Sequence, residues 1–325
     1  MKVLITGSSG FIGCHLVRGI TERGHLVLGV DVDMPVSRPS GFTFQKCDIL
    51  DPEQLKAIFL EFEPTHVIHL AARTDLDEKA DLLIDYAANV GGVENIVDAV
   101  QSTSSVSCCI YTSTQLVCRP GYLPQNNQDW KPHTKYGESK VLGEKIVYKH
   151  NGGGKSWCIV RPTTVWGPGM NSHYQNFISL VEKGRYFHVG RKLLLKSYGY
   201  VGNLVHQYMK LLEVPETKIQ GKMLYLADYD PISLRRWVDM LSAELGSGSI
   251  MTIPEILARF VAYTGDIVNF LGYDNFPFNS FRLNNVLTEY QVDTSDSEGI
   301  CGELPYSMED GVRATVDWYK TLKNH

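Results

Sequence analysis

The sequence predicts an α/β fold in which a doubly wound parallel sheet is followed by a smaller, mixed α/β C-terminal lobe. Two observations support this. The first half of the 325-residue chain alternates short β-branched runs with segments of helical periodicity, and the alternation becomes irregular after about residue 167. Regular strand–helix alternation is typical of parallel strands joined by right-handed crossovers, with helices on both faces of the sheet. We therefore predict a first domain over residues 1–167 and a second over residues 168–325.

The elements of the first domain follow one another in a regular order. Runs of β-branched and apolar residues predict the strands, and apolar side chains at helical spacing predict the helices between them. The predicted strands are Lys2–Thr6, His25–Asp31, Thr43–Asp48, His66–Ala72, Ser107–Thr114 and Ser156–Val165. The predicted helices are Phe11–Glu22, Gln54–Phe62, Asp85–Val100 and Thr134–Tyr148.

The second half of the chain has a less regular pattern. The predicted helices are Tyr174–Lys183, one from Val201, and Leu234–Leu245, and the predicted strands lie around Tyr186–Val189, Leu193–Tyr198, Met223–Ala227 and Ile250–Ile253. We expect one late strand, at about residues 193–205, to return to the first domain. Open parallel sheets bind ligands at the carboxyl ends of their strands. We therefore expect a ligand in that crevice, with the C-terminal lobe closing it.

Composition and charge exclude several classes of protein. Hydrophobic residues make up 43% of the chain and charged residues 21%, so a folded globular protein is expected. The net charge of −5 gives no broad positive field for nucleic acid or anionic lipid. The sequence has no apolar run of the roughly 18–20 residues that span a membrane. Its 7 cysteines lack zinc-ligand spacing. We expect a cytoplasmic protein with no metal, nucleic-acid or membrane partner.

A glycine-rich segment directly follows the first predicted strand. Gly7-Ser8-Ser9-Gly10-Phe11-Ile12-Gly13 has the spacing G-x-x-G-x-x-G and opens a predicted helix. Glycines at these positions allow a sharp turn, a close backbone approach to a pyrophosphate and tight packing of helix on strand. The helix N-terminus then offers free N–H groups to the anion. The motif predicts a dinucleotide-binding loop, and the alternative is a tight turn without a ligand.

The ends of the next strands supply further candidate cofactor contacts. Asp31 ends the second strand, 18 positions after Gly13, where a carboxylate can accept hydrogen bonds from an adenosine ribose. Its charge would repel a 2′-phosphate, so the sequence favours NAD over NADP. The alternative for Asp31 is a turn cap. The third and fourth strands end in Asp48-Ile49 and Leu70-Ala71-Ala72.

A catalytic arrangement is suggested by Tyr136 and Lys140, which lie four positions apart. This spacing places both side chains on one helix face, where an ammonium would lower the tyrosine pKa toward the working range. Such a tyrosine can move the proton of an alcohol while hydride moves to or from nicotinamide. Thr112-Ser113-Thr114 ends the preceding strand and offers hydroxyls for the reacting oxygen. The alternatives are a packed surface helix and an ordinary strand end.

At this point the chain resembles the extended short-chain dehydrogenase/reductase family, in particular its nucleotide-sugar epimerase/dehydratase branch, which has a Rossmann fold. The matching segments are GSSGFIG, the Asp31 strand end, HLAA, Tyr86-Ala-Ala-Asn89-Val90, YTST, PHTKYGESK, RPTTVWGPG and SMEDGVRATVDWYK. The resemblance implies that Thr114, Tyr136 and Lys140 are catalytic. It implies NAD contacts at Gly7, Gly10, Phe11, Ile12, Gly13, Asp31, Asp48, Ile49, Leu70, Ala71, Ala72, Asn89, Thr112, Tyr136, Lys140, Pro162 and Thr163.

The sequence departs from this family near the expected substrate. The resembling 4,6-dehydratases carry an Asp-Glu pair after the catalytic threonine, whereas Gln115-Leu116 stands here and cannot titrate, which argues against dehydration. Thr164 replaces a frequent asparagine, and Lys196 aligns with an arginine often paired with the diphosphate. The candidate substrate-binding residues are Thr164, Lys196 and Arg282, with Arg119 as an alternative cation.

The resemblance leads to one leading hypothesis and two others. The leading one is an NAD-dependent epimerase of a nucleotide-activated sugar that forms a transient keto sugar. The alternatives are an NAD(P)H-dependent 4-keto-sugar nucleotide reductase and a catalytically silent NAD-binding or redox-sensing protein, in which Cys118 would matter. The family also implies a homodimer, formed through the helices beginning near Asp85 and Thr134, and a setting in polysaccharide biosynthesis.

Overall fold

The computed structural model describes residues 1–270 and 278–323. The chain divides into two compact units. The first contains Met1–Trp166, Gly199–Tyr229 and Val292–Pro305, and the second contains Gly167–Tyr198, Asp230–Gln291 and the C-terminal segment from Tyr306. Among the described helices, none has the length and apolar character needed to cross a membrane.

The strands and helices alternate through the first half of the chain. The strands are β1 (Lys2–Thr6), β2 (Leu26–Asp31), β3 (Phe42–Lys46), β4 (His66–His69), β5 (Cys108–Thr112), β6 (Ser156–Pro162), β7 (Thr164–Trp166), β8 (His188–Val189), β9 (Leu195–Lys196), β10 (Tyr198–Tyr200), β11 (Lys222–Leu226), β12 (Ile232–Ser233) and β13 (Thr252–Ile253). The helices are α1 (Phe11–Glu22), α2 (Pro52–Phe62), α3 (Ala87–Ser102), α4 (Lys135–Lys149), α5 (Ser172–Glu182), α6 (Val201–Glu213), α7 (Leu234–Leu245), α8 (Glu255–Phe270), α9 (Ser280–Leu287), α10 (Ser295–Cys301) and α11 (Met308–Lys323).

The first unit is built on a parallel sheet. In the part of the chain that the structure describes, seven strands form it in the order β11-β6-β5-β4-β1-β2-β3. The register places Thr6 of β1 opposite both Val30 and His69, so the carboxyl ends of β1, β2 and β4 lie together. Strand β1 has β2 on one side and β4 on the other, and the chain order reverses there. Such a switch point is where open α/β sheets bind ligands.

Two apolar layers cover the two faces of this sheet. Val3 and Ile5 of β1 pack in one layer, with side chains of α1 and α6, whereas Leu4 packs in the other, with side chains of α2 and α3. The alternation follows from the two-residue period of a strand. Burial of each large aliphatic side chain contributes about 1.5–3 kcal/mol. The predicted doubly wound fold, with helices on both faces, is confirmed.

The second unit is smaller and mixed in structure. It contains two short strand pairs, β8 with β13 and β9 with β12, the first parallel and the second antiparallel. Helix α7 packs against α5 and α11. The ring of Phe177 on α5 stacks on the buried Trp237 of α7, with centroids 5.8 Å apart.

The chain returns to the first unit at Gly199–Tyr229. The strand that joins the main sheet is β11, at Lys222–Leu226, and not one within residues 193–205. Lys222–Leu226 ends in a buried apolar run that pairs along β6, whereas Leu195–Lys196 pairs with β12 in the second unit. Gly199 and Tyr200 of β10 belong to the first unit, where β10 pairs with β7.

Candidate active site

The glycine loop is held tightly between β1, β4 and α1. Gly7 has a φ of +71°, and its N–H donates to the Val30 carbonyl at 2.9 Å. A Cβ atom on Gly7 would lie 2.7 Å from the Ala71 nitrogen, and one on Gly13 would lie 2.1 Å from the Gly7 oxygen. Both contacts are with backbone atoms, which cannot move aside as a flexible side chain can. Only glycine fits at these two positions.

The N-terminus of α1 has no side-chain cap, in contrast to those of α2, α4 and α5. Gly10 is its N-cap and provides no side-chain cap, whereas Asp51, Thr134 and Asn171 cap α2, α4 and α5 through their side chains. The first-turn N–H groups of a helix have no intrahelical partner. Gly10 is exposed and the adjacent Phe11 and Ile12 are half-buried. The loop and the open helix end together fit the pyrophosphate of a dinucleotide.

Asp31 lies at the rim of this loop. Its carboxylate accepts hydrogen bonds from the N–H of Ser9 at 2.9 Å and from the N–H of Asp33 at 3.1 Å. Asp31 is half-buried, and a carboxylate has about four acceptor positions. The residue thus braces the loop and caps a turn, and it keeps acceptor capacity for the hydroxyls of a ribose.

The ends of β3 and β4 are ordered by local hydrogen bonds. Asp48 is exposed and accepts from the Leu50 N–H at 3.0 Å, while Ile49 is buried. The N–H groups of Leu70 and Ala71 donate to Thr6 Oγ1 at 3.2 and 3.3 Å. This brings the Leu70–Ala72 segment against the glycine loop, where the candidate cofactor contacts were predicted.

Asn89 fastens the segment after β4 to α4. Its Oδ1 accepts from the Arg73 N–H at 2.8 Å, and its Nδ2 donates to the Arg73 carbonyl at 2.9 Å and to Ser139 Oγ at 2.9 Å. Asn89 is fully buried. Its side chain is therefore occupied in holding two elements of the site together, which the motif resemblance did not show.

The structure brings Thr114 and Tyr136 into contact. Thr134 caps α4 by accepting from the Gly137 N–H at 3.0 Å, which fixes Tyr136 in the first turn. The Tyr136 ring is buried against Tyr86, with ring centroids 6.4 Å apart, and the Thr114 side chain lies near the Tyr136 hydroxyl. These contacts place a hydroxyl pair at the end of β5.

The sequence predicted a lowered pKa for Tyr136, and the folded environment raises it instead. Burial raises the pKa of Tyr136 to about 12, and the nearby Thr114 side chain opposes this only partly. The Lys140 ammonium donates instead to the Thr112 carbonyl at 2.7 Å. Because the phenol is desolvated and the ammonium is bonded elsewhere, the free protein keeps Tyr136 protonated at neutral pH.

Lys140 is itself buried, beside a carboxylate that the sequence interpretation missed. Burial lowers the pKa of Lys140 to about 8, and the nearby Glu144 opposes the shift. Glu144 forms two hydrogen bonds with the fully buried Arg161, at 2.8 and 2.7 Å, and accepts from Trp130 Nε1 at 2.6 Å. Glu144 follows Lys140 by four positions on the same helix. This spacing places both side chains on one helix face and could have indicated their proximity from the sequence.

We expect Lys140→Met to be more stable than the wild type at pH 7, by about 2 kcal/mol, because it removes a buried charge. The folded-state pKa of about 8 lies below the ordinary 10.5, so the unfolded chain binds more protons between these values. Wild-type stability therefore rises across this window and the advantage of the variant shrinks. Urea unfolding of the wild type and the variant at pH 7 and pH 10 measures the stability difference at pH 7 and its decrease with rising pH. A variant less stable than wild type at pH 7 would contradict the expectation.

The remaining residues predicted in the first unit lie at the ends of β5 and β6. Thr163 and Pro162 are buried, and the Thr163 N–H donates to the Leu226 carbonyl at 3.1 Å. Thr164 Oγ1 accepts from Gln115 Nε2 at 3.3 Å. Thr112 uses its own hydroxyl in a 2.7 Å hydrogen bond with the Tyr208 hydroxyl. These side chains are thus ordered by neighbouring strands and by α6.

Two predicted cations belong to the second unit. Lys196 is buried and donates to the Asn285 carbonyl of α9, and burial lowers its pKa to about 8. Arg282 lies in the first turn of the same helix and is exposed. In the first unit, Arg119 is exposed, and burial raises the pKa of the Cys118 thiol, which disfavours a reactive thiolate.

Comparison with known proteins identifies the family. Residues 3–227 match the NAD dependent epimerase/dehydratase family. The chain is 30% identical over 249 residues to the 3 beta-hydroxysteroid dehydrogenase/Delta 5-->4-isomerase of Mycobacterium tuberculosis, a match that covers 72% of this chain and 66% of that protein. It is 27% identical over 346 residues to the short-chain dehydrogenase/reductase family 42E member 1 of Macaca fascicularis, covering 98% and 87% of the two chains.

A solved structure shares the fold over nearly the whole chain. The UDP-glucuronic acid 4-epimerase from Bacillus cereus, in complex with UDP-glucuronic acid and NAD, superimposes with a TM-score of 0.77 at 20% identity, covering 99% of this chain and 100% of that one. The family match covers well over half of the sequence, and NAD is the cofactor of the family. This chain therefore belongs to the NAD-dependent epimerase/dehydratase family of extended short-chain dehydrogenases/reductases and is an NAD-dependent enzyme.

Proposed function

We propose that this protein is an NAD-dependent epimerase of a nucleotide-activated sugar and that it acts through a transient keto sugar. The observation that carries the proposal is the position of Tyr136 beside Thr114 at the end of β5, with Lys140 bonded to the same strand end. The fold shared with an epimerase that binds UDP-glucuronic acid and NAD supports the sugar-nucleotide substrate. In this proposal, Asp31 and the open end of α1 hold the adenosine ribose and the pyrophosphate.

The residues would divide the chemistry as follows. NAD⁺, when bound, supplies the hydride acceptor and a positively charged ring. Thr114 would hold the reacting oxygen of the sugar, and Tyr136 would take the proton from that oxygen. After the keto sugar has rotated to present its other face to the cofactor, Tyr136 would return the proton. Because burial raises the pKa of Tyr136 to about 12, proton removal requires added positive charge at the site. The protonated Lys140 supplies part of that charge.

Dehydration is disfavoured at this site. Elimination of water needs an acid and a base at neighbouring carbons. Gln115 and Leu116 follow Thr114 in the turn after β5, and Gln115 is buried with its amide bonded to Thr164. Neither side chain can titrate.

A second candidate function is supported by the sequence relatives. The 3-beta-hydroxysteroid dehydrogenase of Mycolicibacterium neoaurum is 31% identical over 248 residues, covering 72% of this chain and 67% of that protein. In that case, bound NAD⁺ would accept the hydride of a ring alcohol, the same threonine, tyrosine and lysine would position the alcohol and take its proton, and the reaction would stop at the ketone. The ammonium of Lys196 is already bonded to the Asn285 carbonyl, which weakens its assignment to a diphosphate.

One assay separates the candidates. UDP-, GDP-, dTDP- and CDP-sugars and a 3β-hydroxysteroid are each incubated with the enzyme and NAD⁺, and NADH absorbance and products are followed. An epimerase converts its sugar with no net NADH, a dehydrogenase forms NADH in step with product, and a keto-sugar reductase consumes added NADH. Net NADH formation from the steroid alone would overturn the epimerase proposal. The homodimer stays a prediction, and light scattering of the purified protein tests it.

A further inference from the structure

Helix α4 has a glycine, Gly137, directly after Tyr136 in its first turn. Glycine is less favourable in a helix than alanine, so its presence there calls for a reason. The backbone conformation is not that reason, because Gly137 does not have a positive φ. The helix cap is not the reason either, since any residue except proline offers the N–H that Thr134 accepts. What remains is the space that a side chain would need.

A side chain at Gly137 would collide with the turn that follows β5. An added Cβ would lie 2.3 Å from the Leu116 carbonyl oxygen and 3.2 Å from the Leu116 carbonyl carbon. Contacts between a carbon and a carbonyl oxygen lie at about 3.3–3.6 Å, so an alanine would need about 1 Å more room. Leu116 stands two residues after Thr114. Helix α4 therefore meets the Thr114 turn at Gly137.

The turn after β5 cannot withdraw freely from the helix. Thr114 Oγ1 accepts from the Leu116 N–H at 3.2 Å, and the Val117 carbonyl accepts from the Lys131 N–H at 3.0 Å. The following residue, Cys118, forms a β-bridge with Lys131. Thr114, Val117 and Cys118 are all buried. A displacement of the Leu116 carbonyl would therefore be passed on to Thr114.

The first turn of α4 is also fastened to α3. Ser139 Oγ donates to the Tyr136 carbonyl at 2.7 Å and accepts from Asn89 Nδ2 at 2.9 Å. Further along α4, an added Cβ on Gly143 would lie 2.8 Å from the Asn89 carbonyl oxygen, so the two helices are in close contact there. Ser139 and Asn89 are fully buried. Because both the helix and the turn are held, a methyl group between them would separate the two.

We propose that Gly137 is a positioning residue for Tyr136. By leaving no side chain between α4 and the turn after β5, it sets the separation between the Tyr136 and Thr114 hydroxyls. This inference rests on the proposed use of Tyr136 in proton transfer. Gly137 contributes no group to the reaction and acts through its neighbour. A misplacement of about 1 Å can lower the rate of the chemical step by about 10²-fold, so Gly137→Ala should act on kcat.

The first test measures position and does not depend on turnover. Crystal structures of the full-length wild type and of Gly137→Ala, both grown with NAD, give the distance between the Tyr136 and Thr114 hydroxyl oxygens. This distance should be longer by about 1 Å in the variant, with the first turn of α4 moved away from the Leu116 carbonyl. An unchanged distance between the two hydroxyls would overturn the proposal.

The second test separates kcat from cofactor binding. With the substrate identified in the screen, Gly137→Ala should lower kcat by about 10²-fold and leave the Kd for NAD within about threefold of wild type. Gly19→Ala in α1 is the matched control, because its added Cβ would also be crowded, at 2.8 Å from Val205 Cγ1 of α6. The control should lower the urea midpoint and leave kcat unchanged. A role of Gly137 in stability alone predicts that both variants keep their kcat.

A stabilised background ensures that the variant can be measured. Gly91→Ala in α3 should stabilise the chain, because its added Cβ would meet Leu50 Cδ2 at an ordinary 3.7 Å, and Gly137→Ala is made with and without it. A kcat of Gly137→Ala within about threefold of wild type, or an equal loss in Gly19→Ala, would overturn the positioning role. If the wild type turns over a steroid and no sugar nucleotide, the proposed function fails, and the same comparison is made with the steroid.

Discussion

Replacing Tyr136 by Phe is expected to lower kcat by about 10³-fold while leaving NAD affinity nearly unchanged. The substitution removes the hydroxyl that lies beside Thr114 and keeps the ring that packs on Tyr86. General acid–base groups typically contribute between about 10² and 10⁴ to the rate. Turnover of the substrate found in the screen measures the loss, and calorimetric titration measures NAD binding.

Tyr148→Phe is the matched control for this prediction. Tyr148 lies on the same helix, and its buried hydroxyl has no hydrogen-bond partner among the described residues. Its removal should therefore change neither kcat nor NAD binding. If Tyr136→Phe retains more than about a tenth of the wild-type kcat, proton transfer by this hydroxyl is not required and the mechanism fails.

Gly13→Ala is expected to weaken NAD binding by at least about 100-fold and to destabilise the protein by about 1–3 kcal/mol. The new Cβ would lie 2.1 Å from the Gly7 oxygen and 2.8 Å from the Ser8 Cα. Gly7 cannot withdraw freely, because its N–H is bonded to Val30. The loop must therefore deform at the place where the pyrophosphate would bind. Calorimetric titration with NAD and urea unfolding report the two effects.

Gly91→Ala is the control with the opposite expected sign. Gly91 lies inside α3, and its added Cβ would meet only Leu50 Cδ2, at 3.7 Å. Replacing a helical glycine by alanine stabilises by about 0.5–1 kcal/mol where space allows. NAD binding should not change. Tight NAD binding by Gly13→Ala, within about tenfold of wild type, would show that the loop is not the pyrophosphate site.

Much of the fold was predictable from local patterns. The predicted bounds of α1 and α7 agree with the structure, and the doubly wound sheet has the expected first strands. These predictions succeed because the periodicities of strands and helices can be recognised from residues that are close in the sequence. Local patterns could not decide which late strand joins the main sheet, since residues 193–205 and 222–226 both contain short apolar runs. Pairing with β6 over long sequence separation selects the second of them.

The sequence by itself determined the family, the glycine loop and the order of Thr114, Tyr136 and Lys140 along one strand end and one helix. It did not determine their protonation. The direction of the Tyr136 pKa was expected to be downward and is upward, and only the folded chain shows that Glu144 lies beside Lys140 and pairs with Arg161. A pKa depends on burial and on partners such as Arg161 and Thr112, which distant segments bring close. Local sequence specifies which groups are present, and only the tertiary structure decides which of them are buried together.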